Sequence, residues 1–505
     1  MDRRGARTGA AAPVAGVQRS PASWCGSGDD AGGGRVVTAD AAVVGSGPNG
    51  LAAALTLARA GWRVRVYEAA AHLGGASATQ RVDGALHDLG SAVHPTAAVS
   101  PFFGQVGLTD AVDFVTPEIS YAHPLGAGPS GGAASVLIFR DYERTLESLG
   151  RQSAAARAYA RVVGPLAAEG PALGRLFLGD PLATRGACLW QERTTALRLA
   201  RSLAAAYQPH MPLEVSAALE GVRAHIPGGS YSPAATVAGL FLSALAHHGW
   251  PVPVGGSGAI IAALAAQIED LCGDGWYELG REVTDPHELS EPVVLWAAAP
   301  EALAGAPAPA RGPGSAVVHL TTDAPIPWAD PRLARAGTVH LGGPAAALRR
   351  SERAAARRFD PANPYVLLSQ PSQFDATRAP AGTHVLWAYV HVPAGAGLTD
   401  LGGEDAVIGA VTRQIERQAP GFADTVTRAW VRSPRELVRG NPALIGGDIS
   451  GGLTGVGGMA YRLRRTASGS SAGGAYLASS SAWPGPAVHG MAGHLAAVRA
   501  LADAA

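Results

Sequence analysis

The chain has 505 residues, of which 47% are hydrophobic and 16% charged, and its 40 basic and 40 acidic side chains cancel. The length exceeds what one hydrophobic core usually fills, so two domains are expected of a folded, not a disordered, protein. No basic surplus points to nucleic acid as a partner. No apolar run reaches the ~18 residues that cross a bilayer, so a cytoplasmic protein with at most peripheral membrane contact is expected.

Lysine is absent, and every basic residue is arginine. Schiff-base catalysis through a lysine amine is therefore excluded, and so is a lysine general base. The three cysteines, Cys25, Cys188 and Cys272, lie far apart and form no Cys-x-x-Cys pair. That pattern speaks against a disulfide framework, a zinc or other metal site, and a dithiol redox centre. Residues 1–37 are rich in Gly, Ala, Ser and Arg without apolar periodicity and read as a disordered tail. Its Arg3-Arg4 pair is not followed by the apolar stretch of a twin-arginine export signal.

From Asp40 the sequence reads "DAAVVGSGPNGLAAALTLARAGWRVRVYEA". Residues 41–44 form an apolar run suited to a central parallel strand. Residues 51–60 keep helical spacing and end at Gly61, a C-cap glycine, and "RVRVYE" alternates as a second strand. This is one βαβ unit, and Gly45, Gly47 and Gly50 between strand and helix make G-x-G-x-x-G. Gly45 permits the tight turn, Gly47 lets the backbone approach a pyrophosphate, and Gly50 lets the helix pack close to the strand. Ser46, Pro48 and Asn49 fill the turn, and the helix N-terminus offers free N–H groups to phosphate. Glu68 ends the second strand, where a carboxylate accepts hydrogen bonds from a ribose diol and disfavours a 2′-phosphate. An adenine dinucleotide is the expected ligand.

The stretch "AAAHLGGASAT", residues 69–79, places Gly74-Gly75 just after Glu68 and Ala69. A glycine pair there resembles the second cofactor motif of FAD enzymes of the glutathione-reductase and amine-oxidase superfamily, whose loop folds back over the pyrophosphate. The resemblance implies FAD rather than NAD, with Gly74, Gly75, Ala76 and Ser77 as contacts. Relatives often carry arginine after the glycine pair; here Ala76 stands, so backbone amides must neutralise most of the phosphate charge.

The middle of the chain, from about 102 to 248, carries helical stretches such as "ATRGACLWQERTTALRLARSLAAAY". "GWPVPVGGSG" and a following helix resemble the superfamily's return to the cofactor domain. "PVVLWAAAP" suits a buried strand, and in family terms Val283 lies near the adenine. From 312 to about 439, alternating runs broken by Pro and Gly read as strands of an antiparallel or mixed sheet. The end of the chain, "YLASSSAWPGPAVHGMAGHLAA", reads as strand 476–479, a rigid loop 483–488 and a helix from His489 or Gly490 to about Ala500. A helix N-terminus there suits the pyrimidine edge of a flavin, where negative charge grows on reduction. Val488, His489, Gly490 and Met491 are the expected contacts, with small residues at Gly490 and Ala492 leaving amides unobstructed.

Ten segments in order, among them "GSGPNGLAAAL", "GSAVHP", "APIPWAD", "GTVHLGG", "QPSQFDATRAPAGTHVLWAYVHVP" and "NPALIGGDISGG", resemble the phytoene desaturase-like FAD oxidoreductases, in particular the phytoene dehydrogenase-related, pyridine nucleotide-disulfide oxidoreductase domain 2-like branch. The segment "RLRRTASGSSAGGAYL" departs from that family's usual Tyr-x-Thr-Pro run. The resemblance implies an α/β fold: a Rossmann-like FAD-binding domain assembled from 38–110, 245–310 and 440–505, with a discontinuous α+β substrate domain from 111–244 and 311–439. It implies dehydrogenation of an apolar substrate, carotenoid-like, fatty-acyl, steroid-like or a secondary metabolite, by hydride transfer to flavin N5. Oxygen, a quinone or NAD(P) would accept the electrons.

Desaturation must also shed a proton, so a base or water is wanted. His489 is the first candidate, followed by His94 in "GSAVHP" and His391 in "WAYVHVP"; for each, a structural role is the competing reading. Trp387 and Tyr389 alternate along a strand as pocket lining or core. Asp448 is a ribityl hydrogen-bond acceptor or a turn-former. Three rival functions stand beside dehydrogenation: a flavin amine oxidase, a non-redox polyene isomerase, and a non-catalytic flavoprotein that binds a partner.

Overall fold

The computed structural model describes residues 39–127, 133–182, 190–226, 232–303, 307–467 and 475–505. The expected tail 1–37, Cys25, Cys188 and the start of the quoted helical stretch lie outside the described residues.

Strand Ala41–Val44 is wholly buried because neighbours cover both faces, which is why it reads as an unbroken apolar run. It is the middle of a five-stranded sheet in the order Ala475–Leu477, Val293–Trp296, Ala41–Val44, Val64–Glu68, Tyr277–Leu279. All four pairings are parallel. The chain leaves the central strand to build one side of the sheet and returns much later to build the other. The crevice at the carboxyl end of this strand is thus a topological switch point, where such sheets bind ligands.

The first helix, Pro48–Arg59, begins on a proline, whose missing N–H costs nothing in a first helical turn. Its apolar face packs with helices Gly258–Cys272 and Met491–Asp503 into one core. The last helix starts one or two residues and ends about three residues later than its pattern suggests. The crossing is close at Gly493, where a Cβ would collide with the backbone carbonyl of Asn49.

The second sheet is mixed and seven-stranded, in the order Val426–Arg432, Gly314–Thr322, His384–Val392, Val366–Ser369, Ala336–Leu341, Ile119–Ala127, Ala133–Phe139. Its only parallel pairing joins Ala336–Leu341 to Ile119–Ala127. Two of these strands come from the stretch that reads as helical. Pro124 and Gly126 interrupt their alternation and coincide with a register shift, so the pattern is weak. Helices Ala345–Ala355, Glu404–Glu416 and Pro434–Gly440 break up the region that reads as strands alone. One face of the sheet, including Val318, Ala388, Val390 and Leu368, packs on Val407, Val411 and Ile415. The opposite face presents Val317, Leu367, Trp387 and Tyr389 inward. Among the described residues no helix is long and apolar enough to cross a membrane.

Gly493→Val should overpack the contact between the first and last helices at a cost of about 1–3 kcal/mol. A melting temperature lowered by several degrees is expected. An unchanged melting curve would contradict the close approach.

Candidate functional site

At the end of the central strand, Gly45 takes a φ of +94°, which a side chain would strain. A Cβ at Gly50 would collide with the Gly45 carbonyl, whereas one at Gly47 would meet nothing within 4 Å. The turn is therefore packed behind and open in front. Glu68 ties it down: Oε2 accepts from the Ser46 N–H at 2.8 Å and the Ser46 hydroxyl at 2.5 Å, while Oε1 accepts from the Ala70 N–H at 2.9 Å. The Gly74 N–H donates to Ser46 Oγ at 3.1 Å, joining the second glycine loop to the first. That loop makes one 3-10 turn, Gly75–Ser77, lying so close that a Cβ at Gly75 would stand 3.3 Å from Gly47 Cα.

These groups open into a cavity of about 530 Å³. Of the expected cofactor contacts, Gly45, Ser46, Gly47, Pro48, Asn49, Gly50, Glu68, Ala69, Gly75, Ala76, Ser77, Val283 and Val488 line it; Gly74, His489, Gly490 and Met491 do not. Asn49 Oδ1, at the start of the first helix, is buried without a partner. Open space before Gly47, free amides at a helix N-terminus, a carboxylate at the strand end and an orphaned amide oxygen fit an adenine dinucleotide. The cavity continues along the inward face of the second sheet, where Trp387 and Tyr389 line it with Phe177, Phe241 and Trp250.

The three histidine candidates do not face this space. His489 is fully buried, and its Nδ1 accepts from the Met491 N–H at 3.0 Å, so the ring caps the last helix. Burial pulls its pKa down to about 4, which weakens it further as a base. His94 is buried with Nε2 at 2.8 Å from the Ser257 hydroxyl, and burial likewise lowers its pKa to about 4. His391 lies on the same sheet face as Tyr389, ring centroids 5.2 Å apart, but outside the cavity lining, with Nδ1 at 2.7 Å from Glu352 Oε2. Gly490 is small for packing, since a Cβ there would stand 2.9 Å from Ala52 Cβ and 2.9 Å from the Phe102 ring. It also holds a φ of +68° as the helix N-cap. Met491 is core. Asp448 is a turn-former: its buried carboxylate accepts from the N–H groups of Gly312, Ser450 and Gly452 at 3.3, 2.8 and 3.0 Å.

Besides the aromatic walls Phe177, Phe241 and Trp250, sequence reasoning missed basic lining side chains, among them Arg281, Arg462 and His225. Arg281 follows the edge strand Tyr277–Leu279 and lies over the Tyr67 ring at 4.5 Å. Arg462 comes from the very segment that departs from the family pattern, on helix Val456–Ala467. It is buried and donates to the carbonyls of Ser450, Gly452, Leu453 and Ser480 at 2.8–3.1 Å. Burial lowers its pKa to about 10, so it remains a fixed cation at neutral pH. His225 lines the distal arm. Each sits alone between unremarkable residues, without a local pattern to mark it.

A family model described as an NAD(P)-binding Rossmann-like domain matches residues 43–106. No curated protein matches the chain. Among solved structures, an oxidoreductase from Methanosarcina mazei is similar at 15% identity, covering 91% of this chain and 99% of that one, with a TM-score of 0.52. A putrescine oxidase double mutant with redesigned cofactor binding is similar at 16% identity, covering 93% and 99%, with a TM-score of 0.55. Cyclohexylamine oxidase from Brevibacterium oxydans IH-35A is similar at 15% identity, covering 92% and 98%, with a TM-score of 0.51. The fold is that of flavin amine oxidase-type structures, with a Rossmann-like dinucleotide-binding domain.

Glu68→Gln removes the charged acceptor while keeping the shape. A hydrogen bond to a charged group contributes about 1.5–3 kcal/mol. FAD affinity, measured by titrating apoprotein, should fall by about 10- to 100-fold; unchanged affinity would contradict the ribose-binding role.

Proposed function

We propose that the chain is an FAD-dependent oxidoreductase that dehydrogenates a largely apolar organic substrate, in the manner of the phytoene desaturase-like enzymes it resembles. One observation carries this reading: a single cavity runs from the glycine turn and Glu68 to an arm walled by Phe177, Phe241, Trp250, Trp387 and Tyr389. FAD, when bound, supplies the hydride acceptor. Glu68 and Ser46 hold the ribose end, and the amides at the start of the first helix meet the pyrophosphate. The fixed charge of Arg462 offsets negative charge in the cavity. The aromatic walls hold and orient an apolar substrate and exclude water. The cofactor domain, on this reading, is assembled from 38–110, 245–310 and 440–505, with the remaining segments forming the substrate domain.

A second reading, a flavin amine oxidase, is favoured by the similarity to putrescine and cyclohexylamine oxidases. That similarity bears on the fold, and lysine, used by many such enzymes, is absent. A partner-binding flavoprotein without catalysis would fill the distal arm with side chains, whereas this arm is open.

Anaerobic addition of polyenes, fatty-acyl esters or steroid alcohols should bleach the visible flavin band with one of these classes. Bleaching by cyclohexylamine alone would favour the amine oxidase reading, and a flavin that no compound bleaches would contradict net oxidation.

A further inference from the structure

We infer that the distal arm recognises a neutral oxygen function, a hydroxyl or carbonyl, on the apolar substrate, and that His225 and Tyr389 are the residues that bind it. The inference rests on the proposed function and narrows its substrate class.

His225 follows helix Leu213–Arg223 directly and lines the arm. Its ring stands against Trp250, centroids 5.6 Å apart, and against His340, 4.9 Å apart. The two histidines meet Nε2 to Nε2 at 2.8 Å. One of these atoms donates and the other accepts, so Nε2 of His225 is taken and Nδ1 is the ring nitrogen that remains for a ligand in the cavity it lines. His340 is fully buried and packed between Tyr121 and Tyr365, at 5.2 and 6.1 Å, so the ring behind His225 is clamped. Tyr389, on strand His384–Val392, brings a phenol hydroxyl to the same cavity. Burial lowers the His225 pKa to about 3 and holds His340 well below its ordinary value, so the pair is neutral.

A hydrocarbon would dehydrate these polar groups and give nothing back, which penalises its binding. A cation would need an anion beside it. Among the described lining residues the only carboxylates are Glu68 and Glu282, both at the dinucleotide end beside Tyr67 and Arg281, while the buried Glu352 carboxylate near Tyr389 stays outside the lining and is taken up by His391 Nδ1 at 2.7 Å. A neutral alcohol or ketone satisfies the pair and leaves no charge uncompensated. The histidines are not a metal site, because no described group of three ligating side chains converges here.

The test is calorimetric titration of the FAD-loaded protein with four matched probes: cyclooctanol, cyclooctanone, cyclooctane and cyclooctylamine. The alcohol and ketone should bind at least about tenfold more tightly than the hydrocarbon and the amine. His225→Phe and Tyr389→Phe should each erase most of that preference, while His225→Asn, which keeps a polar atom, should restore part of it. Equal binding of all four, including none, or preference for the amine or hydrocarbon, overturns the inference. Flavin content of the same sample separates the two levels. Protein that takes up no FAD defeats the proposed function, while a flavin-replete protein without oxygen preference defeats this inference alone.

Discussion

The Glu68 carboxylate is the knot on which the site depends. Through Ser46 and Ala70 it binds the first glycine turn to the end of the second strand, and through Ser46 it also fixes the loop carrying Gly74. Two loops distant in sequence are thereby set face to face across the switch point of the parallel sheet. Glu68 uses three hydrogen bonds in doing so and still has lone-pair capacity for a ligand hydroxyl. The carboxylate proposed to meet a ribose is thus also what shapes the turn.

Close packing carries that geometry outward. Because Gly493 lets the last helix press onto the start of the first, the chain's final segment backs the first glycine turn. The loop that precedes this helix then forms the cavity wall through Trp483, Pro486 and Val488. Arg462 gathers four carbonyls from the neighbouring loops, giving irregular backbone the partners it would otherwise lack. The second sheet adds the distal wall by alternation: Trp387 and Tyr389 of strand His384–Val392 line the cavity, while Leu386, Ala388, Val390 and Val392 face the core.

What could be read from sequence follows from how local each signal is. The βαβ unit was legible because strand, glycine turn, helix and acidic end all lie within one short stretch, each with a distinct physical requirement. Glu68 and the Gly74-Gly75 loop were legible for the same reason. The histidines were not: "GSAVHP", "WAYVHVP" and "VHGMAG" show a titratable residue but not the direction in which it points, and His94, His391 and His489 turn to Ser257, Glu352 and a helix end. His225 and Arg462 acquire their roles only when remote segments meet. The strands near Tyr121 were hidden because Pro124 and Gly126 spoil the period-2 pattern that side chains on a sheet normally display.

The central claim is that this cavity is built for a flavin dinucleotide. Heat release of the bound small molecule from purified protein, identified by mass and quantified against protein, tests it most directly. The account predicts FAD at close to one per chain. NAD(P) in its place, or a protein that neither carries FAD nor takes it up on reconstitution, would contradict it.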